Sequence, residues 1–253
     1  MSSALVLHRG AREVTQDELS TVPVPPATST WFPISHGHVL ATTLDTLTQA
    51  GFEVTRSSLA LSRDDARFFA TMDLSTSLTG GVSLAVGIRN SIDKSLPIGF
   101  CAGHRTFVCD NLAFSSQIVV ARKHTRFGEV RFQEAMSKAV QSLDAYREAE
   151  GARIRRFQNI ELSPELADAL LLRAYERDII STPLLPRIIK EWREPSFEEF
   201  KPRTLWSLMN SFTTVLADRQ KSNPQQFAAM TIRLHDFFQK ETCIEQPANV
   251  LAV

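Results

Sequence analysis

The chain carries no excess charge of either sign: 28 Lys and Arg stand against 28 Asp and Glu. Net charge therefore gives no support for grip on a polyanion, and any basic surface has to be local. Cysteine is scarce. Three cysteines, an odd number without CxxC spacing, argue against a disulfide scaffold and fit a reducing cytoplasm. No run approaches ~18 consecutive apolar residues, which argues against a membrane-spanning helix. The opening MSSALVLHRGAREV has an apolar run only from Ala4 to Leu7 and no cleavage-site pattern, so it does not read as a signal peptide. GxxxxGK[ST], GxGxxG and GxSxG are missing, and with them the common signatures of nucleotide binding and hydrolysis. HExxH and paired CxxC are missing too. His36 and His38, two apart, do not by themselves make a zinc site, and no cofactor is indicated.

What is present is the composition of a globular protein, with 43% hydrophobic and 22% charged residues over 253 positions. STVPVPPATST, residues 20–30, holds three prolines among small polar residues. It sets off residues 1–29 as an arm and linker, expected to pack on a neighbouring subunit or stay mobile. Val39, Leu40, Thr43, Leu44 and Leu47 then recur at helical spacing, with Ser35 as N-cap and Gly51 as stop. Four strands follow in FEVTRSSLALS, ARFFATMDLS, VSLAVGIRN and LPIGFCAGHRTFVC. On the last, Ile98, Phe100, Ala102 and His104 share one face, and Gly99, Cys101, Gly103 and Arg105 the other. Two glycines make that second face low, so another element or a ligand can approach its backbone.

NLAFSSQIVVARKHT suits either helix or strand. The next stretch, from Gly128, carries the stripe Val130, Ala135, Met136, Ala139, Val140, Leu143 and Tyr146 of one long helix. Ser163 and Pro164 open another helix, and two more close the chain, the last capped by Asn223. The expected fold is α+β: an antiparallel four-stranded β-meander preceded by one helix and followed by a long helix and a C-terminal helical region. The expected divisions are the arm 1–29, an α+β core 30–160 and a helical region 161–245.

One stretch concentrates chemistry: GIRNSIDKSLPIGFCAGHRTFVCDNLAF, then ARKHT. It resembles the phage/plasmid-like domain-of-unknown-function family numbered nine-three-two. The positions that carry the resemblance are Arg89, Asn90, Ser91, Asp93, Arg105, Cys109, Asn111, His124 and Thr125. Ile92 and Lys94 depart from it, since the family commonly has a histidine and a glycine there. The resemblance covers about residues 30–150 and implies a setting on phages, plasmids and related elements. It brings no settled chemistry.

Structurally, Asn90, Ser91 and Asp93 suit a turn, because Asn and Asp side chains bond their own backbone. Asp110 or Asn111 suits a helix cap, Cys101 and Cys109 suit small buried positions, and Arg89 and Arg105 are placed to pair with Asp93 or Asp73. Functionally, Arg89, Lys94, Arg105, Arg122, Lys123 and Arg126 form one phosphate-binding surface if a helix after Asn111 packs beside the hairpin. From Gln117 to Gln158, nine Lys or Arg face five Asp or Glu, a local excess of four.

The order helix, meander, long helix is also similar in outline to the annealing cores of phage recombination proteins. The leading expectation is therefore a nucleic-acid-binding protein, of single-strand binding or annealing type, acting as a homo-oligomer. Two tyrosines are few for base stacking, but 16 phenylalanines and three tryptophans leave it open. The alternatives are an enzyme built on Asp93, His104, Cys109 and His124, and a scaffold without chemistry.

Overall fold

The structure, a computed structural model, describes residues 11–107, 111–222 and 224–244. Its centre is one antiparallel sheet of six strands in sequence order: β1 (Arg12–Glu13), β2 (Val54–Leu61), β3 (Arg67–Thr79), β4 (Val82–Ser91), β5 (Ile98–Thr106) and β6 (Asn111–Arg122). The helices are α1 (Gln16–Ser20), α2 (His36–Gln49), α3 (Gly128–Gln141), α4 (Leu143–Asn159), α5 (Pro164–Glu176), α6 (Leu185–Arg193), α7 (Leu205–Ser222) and α8 (Pro224–Ile244).

The expected four-stranded meander is corrected to six strands at both ends. The added first strand, β1, lies inside the stretch that reads as an arm, with Arg12 opposite Leu61 and Glu13 opposite Ala60. Two residues carry no period, so β1 exists only through its pairing with β2. Val14 and Leu19 follow it into the main core, and α1 is fixed by a reciprocal box. The Thr15 hydroxyl accepts from the Glu18 amide, and the Glu18 carboxylate accepts from the Thr15 amide.

The added last strand, β6, replaces the helix considered after Asn111. From Gln117 to Ala121, exposure alternates with period two: Ile118 and Val120 are buried, while Gln117, Val119 and Ala121 are exposed. The β-branched run Ile118, Val119, Val120 is stiff at χ1 and favours the strand. Asn111 is consequently not a helix cap. It opens β6 and donates from Nδ2 to the Thr214 hydroxyl of α7 at 3.0 Å. β6 bulges where its pairing shifts from Val119 opposite Cys101 to Phe114 opposite Gly103. Gly103 is required there: a Cβ at this position would stand 2.1 Å from the Ala113 carbonyl oxygen.

The single long helix is in fact two, α3 and α4, divided at Ser142. The Ser142 amide bonds the carbonyls of Lys138 and Ala139, and its hydroxyl accompanies it to Lys138. Val130, part of the expected stripe, is 56% exposed, and Phe132 is buried instead. Elsewhere local signals and structure agree. Ser35 caps α2 through the His38 amide, Gly51 takes φ +82° beyond its end, and Ser163 with Pro164 opens α5. The Asn223 cap lies outside the described residues. One continuous hydrophobic core runs from Val14 to Phe238, joining the sheet face of Ile98, Phe100 and Ala102 to the helices. No described helix is long and apolar enough to cross a membrane.

Candidate nucleic-acid interface

The hairpin between β4 and β5 is built by its own side chains. The Ser91 hydroxyl donates to the Leu96 carbonyl at 2.9 Å and accepts from the Leu96 amide at 3.0 Å. Asp93 Oδ1 accepts from the Ser95 amide at 2.9 Å and from its hydroxyl, and Asp93 Oδ2 accepts from Arg67 Nε at 3.1 Å. Burial would raise the Asp93 carboxyl. The Ser95 hydrogen bonds and Arg67 outweigh it and hold the group below the usual range. Lys94 sits in the left-handed region at φ 67°, where a glycine would be unstrained.

Asn90, fully buried, donates from Nδ2 to the Ile34 carbonyl at 2.8 Å and to His36 Nδ1 at 3.0 Å. His36 in turn reaches the Asp65 carbonyl through Nε2 at 3.1 Å. This pattern fixes His36 as the neutral Nε2–H form, and burial lowers its pKa in the same sense. Asn90, Ser91 and Asp93 thus tie the hairpin to itself and to the entry of α2. His38, two residues after His36, is exposed and pairs with Glu129 at 2.8 Å.

The expected phosphate-binding residues do not form one surface. Arg105 is buried, with Nε 2.6 Å from Asp73 Oδ1, and Arg56 holds the other Asp73 oxygen at 2.6 Å. It lies seven residues along β5 from Ile98, whose partner is Arg122. That is roughly 23 Å at ~3.3 Å per residue. Arg89 lies against Gly99, where a Cβ would meet its Nε at 2.9 Å.

Four cations do gather where β6 ends. Arg122, Lys123 and Arg126 are exposed and make no ion pair with a described residue; Arg122 Nη1 only donates to the Ala121 carbonyl. Lys94 Nζ stands 5.0 Å above the Trp31 ring, whose centroid is 6.5 Å from that of His124. Phe127, next in the chain, is 60% exposed and occupies the N-cap of α3 without a side-chain hydrogen bond to that helix end. Cations and an exposed ring therefore meet at one corner, at the positive end of the α3 dipole.

The proposed catalytic set is not brought together. His104 is in the core, Asp93 in the hairpin turn, and His124 at the opposite end of β5 from His104. Cys109 lies outside the described residues. His124 is buried, which lowers its pKa, and neither ring nitrogen bonds a described residue. Thr125 closes the turn into α3, its carbonyl accepting from the Gly128 amide at 2.8 Å.

A buried ionic cluster escaped the sequence reading. Glu150 of α4 is fully buried and accepts from His104 Nδ1 at 2.9 Å, from His235 Nε2 of α8 at 3.2 Å, and from Arg153 Nε at 2.9 Å. A second Arg153 nitrogen bonds the same carboxylate. Burial alone would raise the Glu150 carboxyl; Arg153 and the two histidines hold it well below the usual range. His104, by contrast, is lowered by burial. The cluster joins the sheet to α4 and α8. His104 was visible as an inward-facing residue of β5, but nothing local marks its partners.

By fold, this is an α+β protein whose six-stranded meander is backed by helices, with a cationic corner at the end of its last strand. The chain matches, over residues 27–236, the family described as Domain of unknown function (DUF932), and it belongs to that family. No curated protein and no solved structure matches it.

Proposed function

We propose that the protein binds the backbone of single-stranded nucleic acid at the corner formed by Lys94, Arg122, Lys123 and Arg126, with Phe127 stacking on a base. The observation that carries this reading is the exposed trio Arg122, Lys123 and Arg126, without an ion pair to any described residue, beside a 60%-exposed phenylalanine at a helix start that no side chain caps. Each part has a role. Guanidinium groups match phosphate oxygens in pairs. The amides at the start of α3 add partial positive charge. An exposed ring takes the face of any base, which makes stacking tolerant of sequence. The neutral overall charge keeps this attraction local.

The reading departs from the surface expected from sequence. Arg105 is committed to Asp73 and does not take part, and Arg89 lies apart, over Gly99. The test is fluorescence anisotropy of a labelled oligothymidine titrated with the protein at low salt. Saturable binding is expected, weakened by about 1 kcal/mol or more in Phe127→Ala through lost stacking. Binding that is undetectable at low salt, or indifferent to Phe127, contradicts the assignment.

A further inference from the structure

Between the sheet face opposite His104 and the start of α8 lies a cavity of about 230 Å³. Its walls include Phe69, Phe114, Val119, Phe227 and Ile232, and Arg89 is its one charged lining residue among those described. The floor is the low face of β4 and β5. A Cβ at Gly87 would stand 2.8 Å from the Phe114 ring, and one at Gly99 would strike Arg89. The two glycines thus clear space for an aromatic wall and for an arginine laid flat across the strand.

The Arg89 guanidinium makes no hydrogen bond or ion pair with a described residue, although the residue is half-buried among largely apolar groups. A cation so placed is partly withdrawn from water and has no counter-charge among the described residues. Cys101, also on the wall, does not supply one: burial pushes its thiol up to about 12, so it stays neutral. The exposed Val119 leaves a mouth toward solvent.

From an Arg89 side chain without a described partner in a mostly apolar cavity, we infer that this is a binding site for a small carboxylate with an apolar, ring-sized body. The carboxylate pairs with the guanidinium, a geometry arginine favours. The body fills the space between Phe69, Phe114, Phe227 and Ile232. The size agrees, since a dry apolar cavity of ~150 Å³ holds benzene and this one is larger by about the room of a carboxylate. The site is independent of the cationic corner and does not rest on the nucleic-acid reading.

Phenylacetate, benzoate and the neutral benzyl alcohol serve as probes. Binding to the full-length protein is read by calorimetry and by methyl shifts of labelled Val119 and Ile232. Saturable binding of at least one carboxylate is expected, with shifts at both methyls. Arg89→Gln should weaken it by about tenfold or more, as loss of a charged hydrogen-bonded partner does, and benzyl alcohol should bind that much more weakly to the wild type. If Arg89→Gln does not fold, the comparison of carboxylate with alcohol on the wild type decides. No saturation by either carboxylate up to about 10 mM, weaker than any useful site, overturns the proposal. So do equal affinity for acid and alcohol, shifts confined to other methyls, or a folded Arg89→Gln variant that binds as the wild type does.

Discussion

Replacing Glu150 by alanine perturbs the best-defined charge in the molecule. Its carboxylate has no solvent exposure and holds His104, His235 and Arg153, the last of which is itself only 9% exposed at the side chain. Removal leaves a buried guanidinium without its counter-ion and two imidazole N–H groups without acceptors. Breaking a buried ion pair from one side costs about 3–5 kcal/mol, because the stranded charge keeps its desolvation penalty. For a chain of this length each kcal/mol lowers Tm by about 2–4 °C, so a fall of roughly 6–20 °C is expected. Glu150→Gln retains one acceptor oxygen and should lose less. Urea unfolding followed by circular dichroism gives the free energy, and calorimetry gives Tm. A loss in Glu150→Ala below about 1 kcal/mol, the size of an ordinary exposed pair, would refute the claim that this cluster is a dry junction between β5, α4 and α8.

Asp93→Ala should cost about 1 kcal/mol, through the lost bonds to Ser95, measured in the same urea series; an unchanged midpoint would mean that the turn holds without them. Arg105→Ala should lower stability by about 3 kcal/mol, since Asp73 is buried with it, yet leave the salt dependence of nucleic-acid binding alone; the reverse pattern would place Arg105 in the interface. Stability should also fall as pH drops. His36, His104 and His124 all have pKa values lowered by burial, so the unfolded chain binds more protons than the folded one below about pH 6.5. That contribution is complete above the unfolded value and is lost as pH falls toward the folded values; Glu150 extends the loss below about pH 4.5. A urea midpoint as high near pH 5.5 as near pH 7.5 would contradict the sign.

How much of this was legible depends on the range over which each element is decided. Ser35 before α2, the strand pattern of β4 and the Ser163–Pro164 start of α5 are local features, and the structure has each element, although β4 is buried on both faces. β6 was half legible. Its β-branched run Ile118, Val119, Val120 suits a strand, but the run is apolar throughout and its alternating exposure exists only in the fold, and the four buried residues Leu112 to Ser115 before it read equally as one side of a helix. β1 was not legible, since its two residues are a strand only against Leu61 and Ala60. The break at Ser142 involves neither glycine nor proline, so no punctuation marks it.

At the candidate interface, Lys123 and Arg126 were readable as charge, whereas the exposure of Phe127 depends on how α3 leaves the sheet. For Arg105 the sequence offered both a place among them and a pairing with Asp73, 32 positions away; strand register decides for the pairing. The Glu150 cluster draws on partners 46 and 85 positions distant and has no sequence signature at all.

The salt dependence of oligothymidine binding tests the proposed function most directly, for the wild type and for Lys123→Ala/Arg126→Ala together. Four phosphate contacts, from Lys94, Arg122, Lys123 and Arg126, predict a slope of log affinity on log salt of about −2.8, at ~0.7 per phosphate on a single strand. The double variant should flatten it to about −1.4 while melting at the wild-type temperature. No binding at the lowest salt, or a slope the same in both proteins, would contradict the assignment of this corner.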